Sequence, residues 1–270
     1  MTGEAIPDRG KLWVWLPLAL VLLFLADPLL AQEKAAQAVE YRSFFGLNSR
    51  LVIWIVAQLH LMFAAFVLGV PIFALVMEVV GVKNKDPRYD WLAREFTKLM
   101  AAAFATTAAL GGLLAFSLYS LYPSFMGYLT GGFYSSFFIY ALLFFGEGFS
   151  LYFYLYSWDR LKNKKWLHIS IGVLLNVFGT LLMIIANSWT SFMMTPSGIE
   201  KETGQFIGGV WQAMTNPLWM PLNIHRFLGN IVFGGFLVGA YAAVKFLVAR
   251  SEEEKAHYDW MGYIGNFVGL

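Results

Sequence analysis

The sequence predicts an all-α integral membrane protein with about six transmembrane helices packed as a bundle. Hydrophobic residues make up 59% of the 270-residue chain and charged residues only 13%, about half the charge with which a soluble domain covers its surface. The apolar residues are gathered into six runs, each with the roughly 20 residues needed to cross about 30 Å of hydrocarbon. The cationic residues then orient the bundle, because the loops alternate between many and few of them.

Residues 1–11 form a short polar head. The first run, 12–31, is interrupted late by Asp27-Pro28. It reads either as a retained first helix or as a secretory signal cleaved after Ala31. Leu29 is larger than a cleavage site prefers, which favours retention. Five further spans are expected near 51–81, 99–121, 133–156, 166–189 and 222–248. Residues 260–270 begin another apolar stretch that is too short to cross. The connection 192–221 is the longest.

One set of loops carries Arg9, Lys11, Lys83, Lys85, Arg88, Arg94, Lys98, Arg160, Lys162, Lys164, Lys165, Lys245, Arg250 and Lys255. The other carries Lys34, Arg42, Arg50, Lys201 and Arg226. The positive-inside rule assigns the first set to the cytoplasm and the loop 192–221 to the outside. Trp13, Trp15, Trp91, Trp158, Trp166, Trp189 and Trp219 fall near span ends, where interfacial anchors belong. The net charge of +2 is too small to point to nucleic acid.

The absence of cysteine excludes disulfides, iron–sulfur clusters, thiolate-ligated haem and covalently attached c-type haem. Four histidines remain. His60 lies inside an apolar run, about 15 Å from its outer end at helical rise. An ionisable side chain at that depth marks a ligand or proton site by default, and iron held by histidine, as b-type haem, is the natural ligand chemistry. Ala57 and Ala64, one turn to either side, would let a flat macrocycle approach, and Phe63 and Val67 could pack its faces. The competing reading is a histidine bonded to a neighbouring helix.

His225 opens the last complete span with Gly229 one turn on, clearing the same face, and Arg226 beside it could pair with a haem propionate. Its competing reading is an interfacial histidine touching water. The two histidines lie at different depths, so two separate haem sites are expected. Glu147, flanked by glycines, is the one acid near the middle of a span. It belongs either to a proton path or to a protonated, hydrogen-bonded packing site. Glu78 is expected to snorkel from its helix end, His168 to be interfacial and His257 to be solvated.

Four ordered motifs now make the chain resemble the first half of subunit I of the cytochrome bd quinol oxidases. They are Asn48-Ser49-Arg50-Leu51 with His60, Leu68-Gly69 and Met77-Glu78; Glu147 followed by Trp158-Asp159-Arg160-Leu161; Ala186-Asn187-Ser188-Trp189 with Thr195-Pro196; and Asn216-Pro217 leading to His225. The resemblance implies that His60 is an axial ligand at the oxygen-reacting dihaem centre, that His225 is a ligand of the low-spin b haem, and that Glu147 lies on the proton path. His168 matches a histidine of no firm role. The sequence departs from the family at Ile139, where a further acid would stand two turns before Glu147, and at Ala115.

The resemblance divides the chain into a signal-anchor or signal peptide (1–31), a bd subunit I-like membrane domain (32–250), and a cytoplasmic tail with an incomplete helix (251–270). It implies a haem b-containing respiratory subunit of a bacterial or archaeal cytoplasmic membrane, with more than one haem and haem d both compatible. Electrons would be exchanged at the outer face with quinol or a periplasmic cytochrome c. The methionine partner of the low-spin haem, the glutamate ligand of the second b haem and the quinol-binding loop belong to later helices of the family. A companion membrane subunit supplying these is therefore expected, with oxidoreductase activity arising only in its company. The alternative is a haem-free scaffold of a larger respiratory complex.

Overall fold

The computed structural model describes residues 42–270, and the expected first span and the cations of residues 9–34 lie outside them. The described chain folds into seven helices. They are α1 (Ser49–Asn84), α2 (Pro87–Leu121), α3 (Pro123–Ser157), α4 (Lys165–Met194), the short α5 (Val210–Met214), α6 (Trp219–Val248) and α7 (Glu252–Gly269). Five of them, α1 to α4 and α6, are long and apolar enough to cross a membrane. These are the five spans expected after the first, and the fold is the all-α membrane bundle that the sequence predicts.

Local chemistry sets most of the boundaries. Asn48 caps α1, its side chain accepting the amide of Arg50 at 2.8 Å. Asp86 caps α2 in the same way, with Pro87 in the first turn, where its missing N–H costs nothing. Pro123 ends α2, since the residue before a proline avoids helical geometry, and it opens α3 in turn. Two helices start well before the apolar runs, because α2 begins at Pro87 and α3 at Pro123. Inside α3 the backbone leaves helical geometry at Phe133, where the apolar run begins. Gly132 lies against the ring of Phe206 from the outer loop, and a Cβ there would come within 2.1 Å of it.

The helices run alternately up and down, so the basic loops gather at one end of the bundle. At 36 residues, α1 extends about 54 Å and projects beyond the hydrocarbon. The core is formed where α1 meets its neighbours, with Val70, Phe73 and Ala74 of α1 against Phe96 and Met100 of α2, Tyr154 of α3 and Val238 of α6. The α1–α6 approach is backbone to backbone. A Cβ at Gly69 would lie 2.3 Å from the Asn230 carbonyl oxygen.

The apolar stretch 260–270 is not a separate beginning. It is the second half of α7, which starts at Glu252 with Ser251 as its cap. The helix docks on α6 through glycines, a Cβ at Gly265 coming within 2.5 Å of the Gly239 amide nitrogen and one at Gly235 within 2.6 Å of the Gly269 nitrogen.

Gly69→Ala should therefore lower the stability of the detergent-solubilised protein by about 1–3 kcal/mol, the usual cost of overpacking. Gly112→Ala, facing open space, should leave it unchanged or raise it by up to about 1 kcal/mol through helix propensity. Thermal unfolding followed by circular dichroism compares the two.

Candidate functional site

His60 is half-buried and points from α1 towards α2. Its Nδ1 lies 3.2 Å from the Thr107 carbonyl oxygen, and its ring rests on Gly111, where a Cβ would come within 3.0 Å of Cε1. A carbonyl can only accept, so Nδ1 carries the proton and Nε2 keeps a free lone pair. That is the arrangement in which a backbone carbonyl orients a metal-ligating imidazole. The same bond satisfies a plain structural histidine at one nitrogen only.

His225 is exposed at the outer end of α6, facing away from the bundle, and Gly229 one turn on opens onto free space. Arg226 beside it is half-buried. The α1–α6 contact at Gly69 separates the two histidines. Nine residues of helix turn about half a circle, so His60 points away from the face of α1 that carries Gly69. His225 likewise stands nine residues before Gly234, the partner of Gly69, so the two imidazoles lie at similar depth, not at the different depths expected, and point away from that contact on different sides.

Both histidines present donor chemistry that suits a haem iron. His60 offers an oriented Nε2 with Ala57, Ala64 and Gly111 around it. His225 offers an accessible imidazole with a cleared face and a neighbouring cation.

Glu147 is buried in the α3–α4 seam. Its Oε1 lies so close to Gly179 that a Cβ there would come within 2.8 Å of it. Among the described residues its carboxyl forms no ion pair and no hydrogen bond.

Four expectations are corrected. Glu78 does not snorkel and His168 is not interfacial, since both are fully buried. His168 Nδ1 meets Glu78 Oε1 at 2.6 Å, its Nε2 meets the Tyr154 carbonyl at 2.8 Å, and the Tyr154 hydroxyl donates to Glu78 Oε2 at 2.6 Å. Lys165 lies 3.3 Å from Glu78 and also pairs with Asp90, to which the Trp158 indole donates at 3.2 Å. Trp158 is thus a buried donor and not an interfacial anchor. The signal was present in the sequence: Val70, Ala74 and Glu78 fall on one face of α1, and His168 shares a face of α4 with Gly172 and Gly179. On its own helix each of these residues sits near an end, which alone suggests snorkelling for Glu78 and an interfacial place for His168.

His257, expected to be solvated, is the fourth. Its ring lies 3.7 Å from that of Trp91, close to Tyr258 and Trp260, and its Nε2 is buried without a hydrogen-bond partner.

At the outer end, two of the sequence motifs meet. Asn187 donates to Asn223 at 2.7 Å, Asn216 to Ser191 at 2.9 Å, and Thr195 to Asn216 at 3.0 Å. The loop above them is fixed by Tyr128, whose hydroxyl donates to the Gly204 carbonyl at 2.6 Å.

These features define a multi-pass helical membrane protein with ionisable side chains held inside the bundle and an oriented histidine near its outer end. Residues 48–268 match the family described as cytochrome bd terminal oxidase subunit I, and the chain belongs to that family. It is 28% identical over 195 residues to a Bacillus subtilis (strain 168) protein provisionally named cytochrome bd menaquinol oxidase subunit I, an alignment covering 72% of this chain and 44% of the relative. It is 29% identical over 198 residues to the cytochrome bd ubiquinol oxidase subunit 1 of the same organism, covering 70% and 40%. The chain thus spans less than half the length of these relatives. Its fold is similar to that of the bd oxidase from Geobacillus thermodenitrificans, with TM-score 0.71 and 23% identity, over 82% of this chain and 52% of that one.

Burial and the nearby Arg88 guanidinium push the His257 imidazole down to about 4. A base whose folded pKa lies below its unfolded value of about 6.5 loses stability as pH falls between the two, because only the unfolded form takes the proton. The docking of α7 on Trp91 should therefore loosen from about pH 6.5 towards pH 4. Tryptophan fluorescence and amide exchange of α7 report it, and His257→Phe should flatten the dependence.

Proposed function

We propose that this chain is the haem-carrying membrane subunit of a respiratory electron-transfer complex, with His60 and His225 as axial ligands of separate b-type haems. The observation that carries the reading is the His60 imidazole, whose Nδ1–H is committed to the Thr107 carbonyl and whose Nε2 is left for a metal. Haem supplies reversible one-electron chemistry when bound. The protein's part would be to fix the imidazole orientation through Thr107 and the Gly111 contact, to keep small residues at Ala57 and Ala64 one turn to either side, and to offer Arg226 to an anionic haem edge.

With the basic loops in the cytoplasm, both histidines lie in the outer half of a bacterial or archaeal cytoplasmic membrane. Electrons then exchange at the outer face, with quinol or a periplasmic cytochrome c. His225 faces away from its own bundle, so a companion membrane subunit covers that face and contributes the second ligand and the quinol site. Oxidoreductase activity belongs to that assembly.

The test is a reduced-minus-oxidised spectrum of the complex isolated in mild detergent, together with identification of what co-purifies. His225→Ala should remove a low-spin b-type band and His60→Ala should alter a different one. A complex with no haem band at all makes the chain a scaffold, and full spectra in both variants remove these ligands.

Glu147 is the proton-carrying group of this reading. It stands buried in the α3–α4 seam with Ile139, rather than an acid, two turns towards the outer end. Glu147→Gln keeps the shape and removes the exchangeable proton, so proton-coupled turnover should fall by roughly 100-fold or more while haem content stays intact. Turnover equal to that of the unaltered protein would leave Glu147 a packing group.

A further inference from the structure

We propose that Glu78, His168 and Tyr154 form a proton-holding site, distinct from Glu147, that exchanges one proton with solution at the basic end of the bundle. The argument is one of counting donors. His168 has no solvent exposure, and each of its ring nitrogens faces an oxygen. Nε2 lies 2.8 Å from the Tyr154 backbone carbonyl, which can only accept, so Nε2 carries a proton in every state. Nδ1 lies 2.6 Å from Glu78 Oε1, and two unprotonated acceptors do not sit that close. One proton therefore lies between them, either as imidazolium against carboxylate or as neutral imidazole accepting from the carboxylic acid.

The surrounding groups fit a site that keeps this proton and can also release it. From α3 the Tyr154 hydroxyl donates to Glu78 Oε2 at 2.6 Å, which supports either form. From α4 the Lys165 ammonium, 3.3 Å from Oε1, favours the carboxylate. From α2 Asp90 pairs with Lys165, which holds the ammonium at the mouth. The side chains of Glu78 and His168 are 0% exposed, whereas those of Lys165 and Asp90 are 20% and 35% exposed. Solvent therefore reaches Lys165 and Asp90 but not the shared proton itself, which communicates with it through the lysine.

Uptake balances in two moves. A proton of Lys165 Nζ passes to Glu78 Oε1 and is shared with His168 Nδ1, and water beside Asp90 returns a proton to Nζ. Release is the reverse, and the freed Nδ1 lone pair then repels the carboxylate and turns it towards Lys165.

The site does not open towards Glu147. Tyr154 and Glu147 share a face of α3 but stand about 10 Å apart along it at helical rise. Leu151 is fully buried between them, and the Ser150 hydroxyl is committed to the Gly146 carbonyl at 2.7 Å.

The experiment is nitrogen-15 histidine NMR of the full chain, in the complex or in detergent, over roughly pH 5 to 9, the range in which histidine reports its charge. His168 is assigned by its loss in His168→Gln. We expect Nε2 protonated throughout, with Nδ1 between the imidazole and imidazolium positions and moving with pH, and Glu78→Gln should abolish that movement. Lys165→Met, altering a partly exposed residue, should slow deuterium exchange of the shared proton by roughly 100-fold, the lower end for loss of a positioned transfer group. A pH-invariant His168 in the unaltered chain, or one titrating identically in Glu78→Gln, overturns the shared proton. Unchanged exchange in Lys165→Met overturns the route.

Discussion

The bundle depends on the place where α1 and α6 touch through their backbones, at Gly69 and Gly234. Lipid offers helices no hydrophobic reason to associate, so close van der Waals approach of small residues has to supply one. With α6 on that face, the opposite face of α1 meets the other helices. His60 and Glu78 both stand on it, 18 residues apart, which on an ideal helix is five full turns and about 27 Å. One line of one helix thus carries an ionisable group near each end of the bundle. His60 is turned to the carbonyl of α2, and Glu78 to the imidazole of α4.

A second consequence follows from the cost of unpaired polar groups in an apolar medium. The side chains that made the sequence recognisable are largely those that bond to one another. Asn187, Ser191, Thr195 and Asn216 close the outer end, the Trp189 indole donates to Ser136 at 2.8 Å, and Arg94 pairs with Asp159 at 2.5 Å across the basic end. Such residues are tied to the geometry of the fold. They remain in place whether or not an electron passes through the protein, which is why the family resemblance speaks so clearly for the fold. In the proposed reading the chemistry rests instead on His60, His225 and Glu147, whose carboxyl forms no bond among the described residues.

The membrane spans were legible because hydrophobicity, length and charge sorting all act along the chain. Burial of an ionisable side chain at a helix end was not, because it is decided across helices. Glu78 sits one turn before Gly81, close enough to the end of α1 to reach water on that helix alone. Only the arrival of His168, Tyr154 and Lys165 from α3 and α4 gives it partners that replace water. His257 was misread for the complementary reason. Its charged neighbours in sequence, Glu254 and Lys255, suggested a solvated tail, whereas the tryptophans that enclose it come from both α2 and α7. His60, in contrast, needed no partner to be noticed, since its depth within a single apolar run already set it apart.

The two outer histidines differ in a way that bears on how an assembly would be built. His60 is oriented from within, by a carbonyl on the next helix, and its ring packs on Gly111 of that helix. His225 has no such support among the described residues, and both its ring and Gly229 lie on the outward side of α6. In the proposed reading the first site is built by this chain, whereas the second is half a site, its other wall belonging to a partner. A cofactor at the second position would then bind tightly only in the complex. A lone chain would keep the His60 site and lose the other, because burial and a second ligand are what hold an iron at an exposed imidazole.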